Sequence, residues 1–405
     1  MNDTLDRPLF FITVFLAMTG VVMIYSATHN APGIGTSQYM MQSIWFGTGL
    51  IVMYLTYLLP LRFLQAGTVP VFILVIILLI AVLATGTTKG ASRWIRFGAI
   101  GIQPSELAKI AVILILAQYL EPPRRNIRRP LVLFTACILV GLPVALILKQ
   151  PDLGTSLVFG AILCGMLLWA GLSILELVLF ISPVIGILIA VISGFNWIVW
   201  AIFMLTLFGI MYIKRPPISV VVALIVIQIG LGLTAEPLWD SLHDYQRQRV
   251  ETFLKPQEDV LGAGYQIIQS QIAIGSGGMF GRGLLQGSQT QLAFLPEQQT
   301  DFIFSVVGEE LGFVGSVTVL ILFYVLIIRG IKIAVNVKGS FQSLIAAGCV
   351  SVFSFHVIMN VGMTIGLLPV AGVPLPFLSY GGSFLMTSMI LSGLLLNAWR
   401  HRYEY

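Results

Sequence analysis

Long apolar runs, separated by short polar connections, limit the fold of this chain more than any other feature. A helix needs about 20 apolar residues to cross a bilayer, and about twelve runs approach that length. They lie near residues 8–27, 41–60, 67–86, 104–120, 131–149, 153–172, 174–193, 195–213, 217–235, 302–328, 341–367 and 377–398. Only 10% of the 405 residues are charged, against about 25% in soluble domains. The pattern predicts an all-α polytopic membrane protein whose spans form one domain over residues 1–405.

The distribution of lysine and arginine predicts the orientation of these spans, because cytoplasmic connections carry an excess of both. With the N-terminus in the cytoplasm, the inner connections hold Arg62, Arg124, Arg125, Arg128, Arg129, Lys214, Arg215, Arg329, Lys332, Lys338, Arg400 and Arg402. The short outer connections hold only Lys89, Arg93, Arg96 and Lys149. One inner turn, 172–174, has no basic residue. Both termini are therefore predicted inside and the long loop 236–301 outside. The net charge of +5 reflects this orientation and does not indicate a nucleic-acid partner.

The loop 236–301 is predicted to carry the chemistry. Because no ATP is available outside a bacterial cell, an enzyme there needs a substrate that brings its own energy. The stretch Tyr265 to Ile274 is amphipathic and suits a position along the membrane surface. A glycine-rich run follows at 275–287 and would let backbone N–H groups approach an anion. No GK[ST] follows it, and Phe280 stands where a dinucleotide fingerprint needs glycine. A tight re-entrant turn is therefore the preferred interpretation of the run.

Two aspartates each precede an apolar run and have two possible roles. Asp301 ends the long loop, and Asp152 follows Gln150-Pro151. Aspartate is a favoured helix N-cap, because its carboxylate accepts a hydrogen bond from a free N–H group of the first turn. A carboxylate at the membrane surface also suits a general base. From the residues alone, capping is the better interpretation of both.

Ionisable residues inside the apolar runs are candidate functional groups, because charge is costly in a bilayer. Glu106 and Lys109 lie three residues apart on one helix face, after a helix start at Gln103-Pro104. The pair is predicted to face the bundle interior or a wet cavity. Glu309 and Glu310 are candidate functional groups for the same reason. One of them is expected to face Lys109 and the other to cap a packing contact.

The outer connection 87–103 holds Arg93, Trp94 and Arg96. Arginines there often contact lipid headgroups, and tryptophan often marks the interface. The alternative is a phosphate clamp, since the guanidinium group matches phosphate oxygens.

The four histidines are scattered and show no metal-ligand spacing.

Several ordered motifs resemble the SEDS family of bacterial cell-wall glycosyltransferases. They are KGASRWIRFG, QPSELAK, QPDLGTS, HDYQRQRVETFLKP, GSGGMFGRG, GSQTQLAFLPEQQTDFIFSVVGEELGFVG and, at 366–383, GLLPVAGVPLPFLSYGGS. The resemblance covers most of the chain. The HDYQ motif is more similar to the elongation branch of the family, RodA, than to the division branch, FtsW.

This resemblance implies an activity and a set of site residues. The family polymerises lipid II at the outer face of the inner membrane into β-1,4-linked glycan and releases undecaprenyl pyrophosphate. The family's essential aspartate matches Asp301, which reverses the preference for capping. Its outer-loop tryptophan matches Trp94, and its polar pair matches Glu106 and Lys109. The usual partner is a class B penicillin-binding protein.

Substrate and pyrophosphate binding are assigned as a hypothesis to a wider set of residues. This set comprises Arg93, Trp94, Arg96, Glu106, Lys109, Asp152, Arg247, Arg249 and Glu309. A bound Mg or Mn ion is an alternative source of positive charge, and the sequence does not decide between them. The rival functions are a flippase for a lipid-linked precursor and a non-catalytic scaffold for the penicillin-binding protein.

The chain departs from the family in its number of spans. Members usually have ten, with two between the QPDLGTS and HDYQ motifs, whereas the interval 153–242 here is long enough for four. An extra pair of helices near 195–235 is expected. It keeps the parity of the spans, so the long loop remains outside.

Overall fold

The computed structural model describes residues 5–29, 35–84, 93–97, 100–121, 127–150, 152–194, 196–216, 218–240, 247, 252–253, 262–292 and 294–404. The helices within these ranges are α1 (Arg7–Thr28), α2 (Gly35–Leu58), α3 (Leu61–Ala84), α4 (Pro104–Leu120), α5 (Pro130–Leu148), α6 (Leu153–Trp169), α7 (Ile174–Ile192), α8 (Trp197–Lys214), α9 (Ile218–Asp240), α10 (Ala263–Ser276), α11 (Ser288–Gln291), α12 (Ile303–Asn336), α13 (Ser340–Thr364) and α14 (Gly382–Arg400). A short antiparallel hairpin, β1 (Ile95–Phe97) and β2 (Ile100–Ile102), precedes α4.

Each predicted span has a helix in the described part of the chain, so the prediction of a polytopic α-helical bundle is confirmed. Seven of these helices are long and apolar enough to cross a membrane by length and composition, and three further apolar helices are shorter. The hairpin was not predicted. The long loop also begins later than expected, because α9 continues to Asp240.

One large hydrophobic core joins α1 and α2 to α4, α6, α12, α13 and α14. The last helix is mostly buried, with 72% of its apolar window inside the protein. Small residues on α14 allow neighbours to come close, as is usual between membrane helices. A Cβ atom at Gly393, for example, would lie 2.7 Å from the backbone oxygen of Met53 in α2.

Helices α7, α8 and α9 form a separate lobe with its own small core of Leu179, Leu207, Met211 and Leu224. Only 11% of the apolar window of α8 is buried, so most of this helix is exposed. Helices α8 and α9 occupy the interval in which an extra pair was predicted. The lobe adds to one side of the bundle and leaves the main core intact.

Helix α12 is broken near its start, at Gly312, where φ is +68°. The glycine-rich segment 277–283 lies against this break. Four backbone hydrogen bonds join the two: Arg282 N to Glu309 O (3.0 Å), Gly283 N to Glu310 O (3.1 Å), Phe313 N to Gly278 O (2.9 Å) and Val314 N to Met279 O (3.1 Å). A broken membrane helix is tolerated only where its freed backbone groups find partners. The glycine run supplies them, so the predicted tight turn is confirmed.

Helix α10 corresponds to the stretch predicted to lie along the membrane surface. Its buried side, which includes Ile267, Ser270 and Ala273, packs chiefly against α12. The Ser270 hydroxyl lies 2.6 Å from the hydroxyl of Ser305 and 2.6 Å from the backbone oxygen of Thr364. The amphipathic pattern therefore reflects contact with the bundle, and α10 anchors the long loop to it.

Candidate functional site

Asp301 lies where the long loop after α9 meets α12, against the connection between α13 and α14 (residues 365–381). The helix begins at Ile303 with Phe302 at the N-cap position, so Asp301 precedes the cap. The Asn360 side chain donates to the backbone oxygen of Asp301 at 2.8 Å. A Cβ atom placed on Gly372, where φ is +66°, would lie 3.4 Å from Asp301 Oδ2. The carboxylate is therefore adjacent to backbone at a position suited to glycine.

The backbone just before Asp301 is fixed by the same connection. The Ser379 hydroxyl donates to the oxygen of Thr300 at 2.5 Å, and Tyr380 N donates to the oxygen of Gln299 at 2.8 Å. These bonds, with that of Asn360, hold three consecutive carbonyl groups. Asp301 thus sits on a rigid backbone, although it lies outside any helix or strand.

Arg93 and Asp152 lie together at the start of α6. Arg93 Nε donates to the backbone oxygen of Gln150 at 2.9 Å, and its Nη1 lies 3.9 Å from Asp152 Oδ2. Asp152 Oδ1 accepts from Thr155 N at 3.2 Å, which confirms the predicted cap. A Cβ atom on Gly154 would meet the backbone oxygen of Ala371 at 2.1 Å. The α6 start therefore contacts the α13–α14 connection one residue before Gly372.

Trp94 is exposed and lies between Arg93 and the first strand of the hairpin. Its ring covers Gly101, where a Cβ atom would lie 3.2 Å from Cε3 of the indole. The Ser383 hydroxyl at the start of α14 donates to the oxygen of Gly101 and accepts from Gln103 N. The hairpin is thus tied to the end of the same connection. The side chain of Arg96 lies outside the described residues.

Glu106 and Lys109 form a buried ion pair, as predicted, with 2.7 Å between Lys109 Nζ and Glu106 Oε1. Lys109 is 1% exposed. Its Nζ also lies 3.4 Å from Nε2 of His356 and 5.2 Å from the centre of the Phe384 ring. Burial and these contacts occupy the ammonium group of Lys109. Contact between Lys109 and pyrophosphate stays a prediction, and the burial of the ammonium group argues against it.

Neither Glu309 nor Glu310 contacts Lys109 in the part of the chain that the structure describes. The Glu309 carboxylate accepts from Gln289 N (2.8 Å), Thr290 N (2.9 Å) and Thr290 Oγ1 (2.6 Å). Glu310 Oε1 accepts from Ser26 Oγ at 2.5 Å. Glu309 is fully buried and holds the free N–H groups of α11, as an N-cap would. This engagement argues against the predicted binding of substrate by Glu309.

The engagement of Glu309 gives a stability prediction. In Glu309→Gln the side-chain NH₂ group would face the N–H and O–H donors of Gln289 and Thr290. The negative charge that strengthens the remaining hydrogen bonds would also be lost. Thermal unfolding of the purified protein is expected to show a loss of about 2 kcal/mol or more. Glu297→Gln, at an exposed residue of the same loop, is the control and should leave the midpoint unchanged. Equal midpoints for the two variants would contradict the anchoring role.

Two predicted residues lie in the part of the loop that the structure describes least. Arg247 is partly buried, and Arg249 lies outside the described residues.

Among described residues, no three His, Cys, Asp or Glu side chains come together as metal ligands. A divalent cation at Asp301 would therefore need further oxygen ligands from a bound substrate or from water.

His356 and Asn360, which lie one turn apart on α13, were not predicted as site residues. Asn360 donates to the backbone oxygens of Asp301 and Val373, both at 2.8 Å. His356 Nδ1 lies 2.9 Å from the backbone oxygen of Pro374. Two buried polar residues at i and i+4 in an apolar span are a signal that could have revealed them.

Comparison with known proteins gives one family match over nearly the whole chain. The model of the cell cycle protein family FtsW/RodA/SpoVE matches residues 7–201 and 199–404. The two matches meet at the start of α8, where the extra pair of helices begins. Peptidoglycan glycosyltransferase MrdB of Escherichia coli K12 is 37% identical over 401 residues, covering 98% of this chain and 94% of the relative. Peptidoglycan glycosyltransferase RodA of Treponema pallidum is 36% identical over 426 residues, covering 97% of each.

Solved structures show the same similarity. A chain from a structure described as a peptidoglycan synthase complex, in which polymerization and crosslinking are coordinated, superposes with a TM-score of 0.73. It is 30% identical, and 99% of each chain is covered. The rod shape determining protein RodA of Thermus thermophilus gives a TM-score of 0.63 at 26% identity, covering 99% of this chain and 98% of that one.

Proposed function

Because this chain belongs to the FtsW/RodA/SpoVE family and is a peptidoglycan glycosyltransferase, we propose that it polymerises lipid II, with Asp301 as the general base. In this proposal the site faces the outside of the inner membrane and both termini face the cytoplasm. Lipid II brings its own leaving group, undecaprenyl pyrophosphate, so no nucleotide is needed. The product is a β-1,4-linked glycan strand for cell elongation.

One observation supports this assignment most strongly: family motifs from distant parts of the chain meet at the α13–α14 connection. The connection contacts Asp301 through Gly372 and the start of α6 through Ala371. It leads directly into Ser383, which bonds the hairpin beside Trp94. A carboxylate, an arginine and an aromatic ring are thus held at one end of the bundle. Residues from several elements fixed on one rigid frame are typical of an active site.

In the proposed reaction, the Asp301 carboxylate accepts the proton of the acceptor sugar's hydroxyl group as that oxygen attacks the anomeric carbon of the donor. The bond from this carbon to the pyrophosphate oxygen breaks, and the configuration inverts in one displacement. A general base of this kind contributes about 10²–10⁴-fold to the rate. The hydrogen bond from Asn360 fixes the Asp301 backbone, so the carboxylate has a defined position.

Positive charge is needed where the pyrophosphate leaves. Arg93 suits this role, because its side chain is 33% exposed while Asp152 and Gln150 hold it in place. Trp94 lies next to it and offers an aromatic face to the substrate. Lys109 is not assigned this role, since its ammonium group is buried. A divalent cation held by the substrate's phosphates remains the alternative.

The placement of charge in the spans disfavours the flippase. Glu106 and Lys109 lie in the first turns of α4, and Glu309 and Glu310 lie just before the break in α12. Arg329 pairs with Asp6 at the opposite end, with 2.9 Å between Nη2 and Oδ2. A transport path needs polar groups near the middle of the bundle. In the described spans the charged groups cluster near the two ends.

The proposed partner is a class B penicillin-binding protein that crosslinks the new strands. Support comes from the solved peptidoglycan synthase complex, which combines polymerization with crosslinking. The test is to incubate the purified protein with lipid II, alone and with this partner, and to separate the glycan on a gel. Polymer in both reactions is expected. If polymer forms only with the partner, and its amount does not change when an Asp301 variant replaces the wild-type protein, the scaffold function would be favoured.

A further inference from the structure

We infer that His356 is a positioning residue for the reaction at Asp301, because its two ring nitrogens connect the Lys109–Glu106 pair to the backbone beside Gly372. This inference rests on the proposed function of Asp301. His356 lies on α13 and is 1% exposed. It does not touch the reacting atoms and acts through the α13–α14 connection.

The hydrogen-bond partners of His356 define its tautomer. Nδ1 lies 2.9 Å from the backbone oxygen of Pro374, and a carbonyl oxygen can only accept. Nδ1 therefore carries the hydrogen. Nε2 lies 3.4 Å from Nζ of Lys109, which can only donate, so Nε2 presents its lone pair. The imidazole is thus neutral and bonded on both sides, which fixes its orientation.

The group that His356 holds is the part of the connection that abuts Asp301. Pro374 O is bound by His356, and Val373 O is bound by Asn360 at 2.8 Å. Gly372 comes immediately before these two residues and lies against Asp301 Oδ2. The connection has no regular secondary structure at 369–375. Side-chain hydrogen bonds therefore help to set its position, and α13 provides two of them one turn apart.

The Lys109–Glu106 pair holds the other side of the imidazole. Lys109 and Glu106 belong to α4, whereas His356 belongs to α13, so the contact crosses between helices. Phe384 of α14 packs beside the imidazole, with 5.0 Å between ring centres. Three helices thus fix one side chain, and that side chain fixes the connection. This assigns the buried ion pair a role in positioning Asp301, in place of binding phosphate.

The first experiment compares the kinetics of glycan polymerisation by His356→Gln and His356→Met. The two side chains have similar length, but only glutamine can both donate to Pro374 O and accept from Lys109. We expect kcat to fall about 100-fold in the methionine variant, as for an error of about 1 Å in position. KM for lipid II should stay within about threefold. The glutamine variant should retain kcat within about fivefold.

The matched control is His401→Phe. His401 is also buried, but among the described residues its Nδ1 has a single hydrogen-bond partner, Asn397 O at 3.0 Å, one turn earlier in the chain. This variant should polymerise at the wild-type rate. Equal kcat values for the methionine and glutamine variants, or a change in KM alone, would overturn the proposal. His356→Phe, which keeps a ring against Phe384, replaces the methionine variant if that variant does not fold. Failure of both to fold, while the glutamine variant folds, would indicate a purely structural role and also overturn it.

A second experiment does not depend on activity. Hydrogen exchange of the backbone amides in residues 366–381 should become at least about tenfold faster in His356→Met, because the connection loses the hydrogen bond to Pro374 O. It should be unchanged in His356→Gln and in His401→Phe. Unchanged exchange in the methionine variant would contradict the inference. If the wild-type protein formed no polymer from lipid II, the proposed function would fail, and this exchange result would still decide whether His356 holds the connection.

Discussion

Asp301→Asn is expected to lower the rate of glycan polymerisation about 10³-fold, within the range that a general base contributes. Asparagine has the same shape but cannot accept the proton of the attacking hydroxyl group. The backbone oxygen of Asp301 would still accept from Asn360, so the fold should be preserved. The measurement is the initial rate of polymer formation from lipid II, together with the thermal midpoint of the purified variant.

Asp6→Asn is the matched control for this prediction. Asp6 caps α1 through Leu9 N at 3.0 Å and pairs with Arg329, at the opposite end of the bundle from Asp301. Asparagine is also a good N-cap, so this variant should polymerise within about twofold of the wild type. A rate for Asp301→Asn close to that of Asp6→Asn would remove Asp301 from the mechanism. A loss of rate with a lowered thermal midpoint would show damage to the fold instead.

Gly281→Ala is expected to destabilise the protein more than any other single change considered. Gly281 has φ of +81°, and a Cβ atom there would lie 2.1 Å from the oxygen of Glu310. The clash falls on backbone and cannot be relieved by a rotamer change. It would also separate the glycine segment from the broken helix and leave backbone groups without partners. We expect a loss of more than about 4 kcal/mol.

Gly278→Ala separates the clash from the backbone strain. Gly278 also has positive φ, +57°, but no atom lies within 4 Å of a Cβ atom placed there. Only the left-handed conformation is penalised, at about 1–2 kcal/mol. Thermal unfolding should show a midpoint lowered by more than about 4 °C for Gly281→Ala and by much less for Gly278→Ala, given about 1 °C per kcal/mol for a chain of 405 residues. Similar midpoints would show that the contact with Glu310 is unimportant.

The spans could be predicted from the sequence because their signals are local. Helix α4 begins at Pro104 as expected, since proline suits the first turn and Glu106 follows near the positive end of the helix dipole. Helix α12 continues beyond the predicted end to Asn336. Arg329 and Lys332 lie in this extension, and their long side chains can reach polar surroundings while the helix continues.

The site could be predicted only in part, because its geometry comes from contacts between distant segments. The resemblance to a family indicated Asp301 and Trp94, but no local pattern shows that Asn360 holds the Asp301 backbone. Glu309 is a charged residue in an apolar run, which favours function. Its partners on α11 become visible only in the folded chain. The same limit applies to His356, whose partners lie on α4 and after α13.

The most direct test of the account uses proteoliposomes that contain this protein and fluorescent lipid II in both leaflets. One sample reports glycan polymer on a gel, and the accessibility of the label to an added quencher reports movement of lipid II between leaflets. We expect polymer from the wild-type protein, almost none from Asp301→Asn, and no faster exchange of lipid II in either. Faster exchange between leaflets without polymer would contradict the assignment as a polymerase and favour the flippase.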